Sequence, residues 1–269
     1  MRVTRTSDRR LTVASWNLHE GVPSSGVLDA PSPHTVEEVV ALLAERDVDI
    51  AAFQEVGFDG RGHSEVLDAV RKNTALRHVA AHPLHDSSFF PGRRSGVAVV
   101  SRFPVRDYRH YMLPNPRLHI HVDDKEIHSH DKGLVRATIA LGHTELDVAS
   151  LHALPFYLFQ RAPDEADFKE IWDALSDELH RHVESRPLLV CGDFNTEDRR
   201  LVLNLDNPPL VSSLEGRHTY RGRSVDDILY APGISLVGIE TIDNFSDHRA
   251  CVASFRMPPR PLQKAPQRT

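Results

Sequence analysis

The 269-residue chain is poor in sulfur and in rings: it has two cysteines, three methionines, two tryptophans and only 7% aromatic residues. Two cysteines cannot staple a chain of this length. Cys191 and Cys251 both fall inside apolar runs, where a thiol packs as a small hydrophobe, so neither a disulfide framework nor redox chemistry is expected. Long apolar runs are missing as well. Apolar runs such as residues 97–100 and 188–191 are strand-sized, and none comes near the ~20 apolar residues of a membrane-spanning helix, so no transmembrane segment is expected. Residues 1–10 are basic but lack the apolar stretch and cleavage site of a secretory signal, which points to a cytoplasmic protein. There is no Gly-x-Ser-x-Gly elbow, no phosphate loop ending in Gly-Lys-Ser/Thr and no His-Glu-x-x-His zinc helix, and the corresponding classes are set aside.

Positive charge is concentrated at the ends. The net charge is −6, but residues 1–10 carry +3 and residues 256–269 carry +4, leaving −13 on the body between them. Such a body excludes a general coater of duplex nucleic acid, which needs a basic face to neutralise phosphates. It does not exclude a nuclease, because carboxylates that hold a divalent cation are locally offset by it. The simplest partition is a basic flexible N-terminus (1–10), a single domain (11–256) and a Pro-rich, basic, disordered tail (257–269).

Within the domain, strand-like and helix-like segments alternate without a fixed repeat. Thr35 and Glu38 suggest a capping box ahead of Val36, Val39, Val40 and Leu43, spaced as one helical face. A second helix is expected from Ser64, and a longer one through Phe168, Ile171, Trp172, Leu175, Leu179 and Val183. Strands are expected at 11–16, 50–53, 97–100, 188–191, 227–230 and 250–255, with a hairpin of 134–140 and 146–151 turning at Gly142-His143. The pattern is mixed α/β with hairpins. Residues 108–131, rich in histidine with His119, His121, His128 and His130, read as an inserted hairpin or loop near a cleft. Phe156, Tyr157 and Phe159 are candidates for core packing or for stacking on a base.

Polar groups follow the strand-like runs with unusual regularity: Asn17, then Gln54-Glu55, then His152, then Asp193 and Asn195. Strand ends are rigidly placed and solvent-accessible, which is where sites are built. Several carboxylates converging with a histidine suit a hard, oxygen-ligated cation, Mg²⁺ or Mn²⁺, better than zinc.

Seven segments in order, Ser15-Trp16-Asn17, Phe53-Gln54-Glu55, residues 96–104 (GVAVVSRFP), Ser150-Leu151-His152-Ala153, Gly192-Asp193-Phe194-Asn195, Val225-Asp226-Asp227-Ile228 and Ser246-Asp247-His248, resemble the motif set of the endonuclease/exonuclease/phosphatase superfamily, the deoxyribonuclease I-like hydrolases. The resemblance spans nearly the whole chain. It implies a four-layer α/β sandwich of two mixed β-sheets flanked by helices, with the site at one end of the sheets. It also implies hydrolysis of phosphodiester bonds by in-line attack of water.

Carried onto this sequence, the resemblance implies Asn17, Glu55 and Asp247 at a Mg²⁺ or Mn²⁺ site, and Asp193 orienting or deprotonating the water. Asn195 would hold a phosphate oxygen, and His248, oriented by Asp226, would face the scissile phosphate. Which group is the base and which only stabilises charge stays open. His152 in Ser-Leu-His-Ala resembles the branch of deoxyribonuclease I, sphingomyelinases and inositol phosphatases rather than the abasic-site endonucleases. The chain departs from deoxyribonuclease I where that enzyme's histidine-orienting glutamate precedes the strand matching residues 97–100: Arg93, Arg94, Ser95 and Gly96 stand here. Lys132 resembles a phosphate-contacting base of several branches, and Arg93 and Arg94 are further candidates to grip a substrate phosphate. Two partners are carried forward: nucleic acid, DNA or RNA, as substrate, and alternatively a small or lipid-linked phosphate ester such as an inositol phosphate, a sphingomyelin-type head group or a nucleotide.

Overall fold

Strands buried on both faces are written as apolar runs rather than as alternations, as at residues 97–100 and 188–191 of this chain. The computed structural model describes residues 10–25, 32–181, 186–206 and 209–258; the expected flexible N-terminus before Arg10 and the tail from 259 onward lie outside the described residues. In chain order the strands are β1 (Arg10–Asn17), β2 (Ile50–Phe58), β3 (His78–Asp86), β4 (Arg94–Ser101), β5 (Val105–Met112), β6 (His119–Val122) and β7 (Lys125–His128). They continue as β8 (Gly133–Ala140), β9 (Glu145–His152), β10 (Leu188–Asp193), β11 (Val211–Ser212), β12 (Asp226–Tyr230), β13 (Ser235–Ile242) and β14 (Ala250–Arg256). The helices are α1 (Pro33–Glu45), α2 (Glu65–Asn73) and α3 (Lys169–His180).

Two six-stranded mixed sheets form, ordered β13-β14-β1-β2-β4-β3 and β11-β12-β10-β9-β8-β5, with β6-β7 a separate two-stranded hairpin. Val13, Ile50, Ala52, Val97 and Val99 of the first sheet face Val135, Ala137, Val148, Leu189 and Ile228 of the second across the central core. The intervening residues of the first sheet, Ala14, Trp16, Ala51, Phe53 and Val100, pack against Val39, Leu43, Leu67 and Val70 of α1 and α2. On the far side of the second sheet, Ala149, Leu151, Leu188 and Val190 pack under Ile171, Trp172, Leu175 and Leu179 of α3. The result is the expected four layers, helix, sheet, sheet, helix. Cys191 and Cys251 are buried, unpaired and in the central core.

Some boundaries differ from the sequence pattern. The cap of α1 is Ser32, whose side chain accepts from His34 N, with Pro33 at the first helical position. Thr35 instead donates to the Ser32 and Gly21 carbonyls, and Glu38 accepts from Phe245 N at 3.1 Å. A proline pre-set for the first turn outcompetes the Thr-x-x-Glu pattern for the helix start. Helix α3 ends at His180, and Val183 lies outside the described residues. Its last carbonyls receive the buried guanidinium of Arg136 (Glu178 O, 2.7 Å), which also pairs with buried Asp147 at 2.6 Å.

At the site end the sheets are pinned together by polar atoms. Gln54 Nε2 donates to Ser150 Oγ (2.9 Å), which donates to Phe53 O (2.8 Å), all buried.

Candidate active site

Register brings the polar strand ends together. Asn17 lies beside Gln54 in the parallel pair β1–β2. In the second sheet His152 lies beside Asp193 (β9–β10) and Asp193 opposite Asp226 (β10–β12), while Gly133, the residue after Lys132, lies opposite His152. Two of the site residues sit in left-handed backbone, Glu55 (φ 48°) and Asn195 (φ 53°). Glu55 falls in the bulge where pairing of β2 with β4 breaks between Phe53 and Val56. Such conformations cost about 1–3 kcal/mol at non-glycine residues and here aim each side chain off its strand. Gly192 is required for a different reason: a Cβ there would overlap the Leu151 carbonyl.

One side of the site is acidic. His248 Nδ1 donates to Asp226 Oδ2 at 2.8 Å, and His248 Nε2 faces Asp193 Oδ2 at 3.8 Å. Asp193 also accepts from Asn17 Nδ2 (3.2 Å) and from the Asn195 amide (2.9 Å), while Asn195 Nδ2 donates to Ala153 O (2.9 Å). Burial disfavours charge on His248, but the carboxylates of Asp226, Asp193 and Asp247 outweigh it and raise its pKa, so it is an imidazolium at neutral pH. Burial raises the pKa of Asp193, against the lowering influence of His248. The Tyr220 ring stacks on the His248 imidazole (centroids 4.5 Å, 29°) and hydrogen-bonds Tyr157.

The other side is basic. Buried Lys132 places Nζ 2.9 Å from His152 Nε2 and 3.2 Å from Nδ1. Burial lowers the pKa of Lys132, and burial together with the Lys132 charge holds His152 well below the usual imidazole range, so His152 is neutral. His152 Nε2 lies 3.7 Å from Glu55 Oε1 and 3.6 Å from Asp193 Oδ2. Where deoxyribonuclease I has a glutamate on this histidine, the partner here is a lysine.

Both sides line one cleft of about 730 Å³ that includes His19, Glu55, His85, His130, Lys132, His152, Tyr157, Asp193, Asn195, Tyr220, Asp247 and His248. Glu126, Ile127 and His128 of the β6–β7 hairpin form part of its wall; of the expected insert 108–131, residues 108–112 belong instead to β5 of the second sheet. Tyr157 lines it too, whereas Phe156 packs in the core against Phe168 (4.3 Å). Arg93 and Arg94 are not brought in. Arg93 lines a separate small pocket with Glu20, Val39 and Glu65, and Arg94 opens the exposed end of β4, reaching Pro83 O at 3.4 Å.

The donor set fits a hard cation. Asp247 Oδ1 and Asp226 Oδ1 are buried without a hydrogen-bond partner, an expensive state for a carboxylate oxygen unless a cation or water satisfies it. Ligand atoms of Asp193, Asp226 and His248 also lie within 4.8 Å of one another. That trio, however, is already tied by the His248–Asp226 bond, and an imidazolium offers no lone pair to a metal.

Sequence reasoning passed over His85, Tyr220 and Glu20. Glu20 is buried with its pKa raised by burial, and it accepts from the Ser87 hydroxyl and from Ser88 N (3.2 Å), anchoring the loop that carries Phe89 into the cleft wall. No strand-end pattern marks these three residues.

Two sheets face to face with a carboxylate–histidine site at their common end define a phosphoester hydrolase of the two-sheet sandwich class. The sequence profile of the Endonuclease/Exonuclease/phosphatase family matches residues 14–248, and the chain belongs to that family. Among solved structures, an endonuclease/exonuclease/phosphatase from Beutenbergia cavernae superposes with TM-score 0.66 at 20% identity, covering 93% of this chain and 72% of its own. The human Nocturnin catalytic domain with bound sulfate gives 0.62 at 16% identity, covering 92% and 95%. ANGEL2, a 2',3'-cyclic phosphatase in complex with adenosine-2',3'-vanadate, gives 0.59 at 15%, covering 93% and 96%. A search of curated protein sequences returned no match.

Proposed function

We propose that the protein is a divalent-metal-dependent phosphodiesterase acting on nucleic acid, DNA or RNA, with residues 11–256 as its single catalytic domain. The observation that carries the reading is the Asp226–His248 pair facing Asp193 beside the unsatisfied oxygen of Asp247. Asn17, Glu55 and Asp247 would hold Mg²⁺ or Mn²⁺, which when bound supplies charge neutralisation at a phosphoryl oxygen.

The residues do the rest. Asp193, with a raised pKa, is suited to hold the attacking water and take its proton. His248, its Nδ1–H held by Asp226, donates from Nε2 to the oxygen on which charge accumulates. Asn195 Nδ2, using one hydrogen on Ala153 O, has the second free for a phosphate oxygen. Lys132 adds positive charge next to the neutral His152, whose ring remains a hydrogen-bonding partner rather than an acid.

A second reading, a small or lipid-linked phosphate ester as substrate, is favoured by the apolar rim of the cleft, where Leu158 and Ile127 are 53% and 43% exposed beside Phe89. The experiment is incubation with plasmid, single-stranded DNA, RNA and small phosphodiesters in Mg²⁺ or Mn²⁺, with and without chelator. Chelator-sensitive cleavage of nucleic acid supports the first reading. Release of product from small esters alone moves the assignment to the second, and metal-independent cleavage overturns the assigned role of Asn17, Glu55 and Asp247.

A further inference from the structure

Two histidines of the cleft, on segments far apart in sequence, have a hydrogen-bond arrangement that fixes their protons. His85, near the end of edge strand β3, places Nδ1 2.7 Å from the Asp86 carbonyl and 2.9 Å from Nδ1 of His130, which lies between the β6–β7 hairpin and β8. A carbonyl only accepts, so His85 Nδ1 must carry a hydrogen. A nitrogen that carries a hydrogen cannot accept one, so in the contact with His130 it is also the donor, shared between two acceptors. His130 Nδ1 is therefore an acceptor with a lone pair, and the proton of its neutral ring resides on Nε2. Both rings are neutral at pH 7: burial, followed by the charge of Lys132, lowers the pKa of His85 to about 3 and lowers that of His130. Edge-on ring geometry (centroids 4.4 Å, 64°) agrees with an N–H directed at the neighbouring ring nitrogen.

The outcome is a donor without a protein acceptor. Among the described residues, His130 Nε2 has no hydrogen-bond partner, and the residue lines the same cleft as His152 and Asp193. Two positions on stands Lys132, buried, in contact with His152 and in no ion pair among the described residues. The nearby carboxylates are engaged elsewhere or stand off: Glu126 is within 3.3 Å of His128 Nε2, Asp131 accepts from Asn115 Nδ2 at 2.8 Å, and Glu55, whose charge reaches both Lys132 and His130, forms no ion pair with either. A buried ammonium and an oriented imidazole N–H on one cleft wall, neither in an ion pair among the described residues, form a surface for a ligand oxygen anion.

We propose that His130 is a substrate-binding residue that donates from Nε2 to a second phosphoryl group, carried by the substrate next to the scissile one, and that His85 is its positioning residue. The inference rests on the phosphoesterase reading above and adds a substrate feature to it. The enzyme then prefers esters flanked by another phosphate over the same ester without it.

The test has three readouts. Nitrogen-15 NMR of the whole protein at neutral pH should show His130 as the Nε2–H tautomer; the Nδ1–H tautomer overturns the proposal. In His85→Ala the His130 tautomers should mix, whereas His85→Asn, whose side-chain amide stands where Nδ1 stood, should restore the pure Nε2–H form. In Mg²⁺, kcat/KM for the 5'-phosphorylated dinucleotide d(pTpT) should exceed that for d(TpT) about tenfold or more, mostly through KM, as expected for one hydrogen bond to a charged acceptor. His130→Ala should bring that ratio toward one, with His85→Ala between; an unchanged ratio in His130→Ala, or a wild-type ratio near one, overturns the proposal. If neither dinucleotide is cleaved, the nuclease reading fails, and the inference is decided by calorimetry with chelator present. There pyrophosphate should bind wild type about tenfold tighter than it binds His130→Ala, and equal binding overturns it.

Discussion

The two sides of the cleft use the same residue type to opposite ends. On the β12–β14 side, His248 sits among Asp193, Asp226 and Asp247 and is held charged. On the β3–β9 side, His152, His85 and His130 sit around Lys132 and are held neutral. His248 and His152 are buried and His85 and His130 half-buried, and burial pushes every one of them toward the neutral form. The difference is that the carboxylates around His248 outweigh its burial, whereas around His85, His130 and His152 burial is the largest cause and the Lys132 charge adds to it. A histidine's role in this enzyme is therefore read from what lies within a few ångströms of it rather than from its own strand. In the proposed reaction, where negative charge builds on a phosphoryl group, one side would supply a mobile proton and a water-orienting carboxylate and the other fixed donors.

The comparison breaks most completely when the acidic side loses a member. Asp193→Ala and His248→Ala should each lower kcat by on the order of 10³-fold, because each removes help given chiefly in the transition state. Neither change should alter the fold, since Asp193 and His248 contribute polar contacts to the site end and neither belongs to the apolar clusters between the layers. Steady-state rates alongside circular dichroism check this. A variant that turns over within tenfold of wild type would show that the acidic side is not where the chemistry happens.

The opposite charge states also predict opposite pH dependences of stability. His85 has a folded pKa of about 3 against an ordinary 6.5. The unfolded chain therefore binds more protons than the folded one between those values, and the stability His85 protects is complete above about pH 6.5 and drains away as the pH falls toward 3. His248 is shifted upward, so its contribution is complete below the unfolded value and is lost only as the pH climbs through its elevated folded value. Urea unfolding of wild type and His85→Asn across pH 3–7 isolates the first. Wild type should lose on the order of a few kcal/mol more than the variant on acidification. A parallel loss in both proteins would mean that His85 accepts a proton in the fold without cost.

How much of this could be read in the chain depends on burial. The inner strands β1, β2, β4, β8, β9, β10, β12 and β14 announce themselves because both of their faces are covered, and the residues brought together are Asn17, His152 and Asp193, which end their strands, and Glu55, which sits in the bulge inside β2. The edge strands β3, β5 and β13 carry mixed sequences such as HVAAHPLHD, with half-exposed positions throughout, and no periodicity singles them out. His85 lies on such an edge, 45 residues from His130, so their contact is set by how β3 packs against the insert. Arg93 and Arg94 stand as a basic pair before a strand, but Ser95 and Gly96 take the buried positions and neither arginine lines the cleft. The charge states were the least legible of all. Lys132 contacts His152 because Gly133 pairs with His152 across β8–β9, a register that spacing alone does not contain.

The smallest effect concerns the Tyr220 ring on His248. Two constraints hold that imidazolium: the 2.8 Å bond to Asp226, which anchors its Nδ1–H, and the stacked Tyr220 ring, which fixes the plane. Tyr220→Phe keeps the ring and loses only the hydrogen bond to Tyr157, so kcat should stay within about threefold of wild type. Tyr220→Ala removes the ring and should lower kcat about tenfold with KM nearly unchanged, the size expected from an aromatic contact of 0.5–1.5 kcal/mol. If both variants fall equally, the phenol rather than the ring is what matters, and the Tyr157–Tyr220 pair acts on the substrate directly. If neither falls, Asp226 alone orients His248, and the acidic side is held by its charges without help from packing.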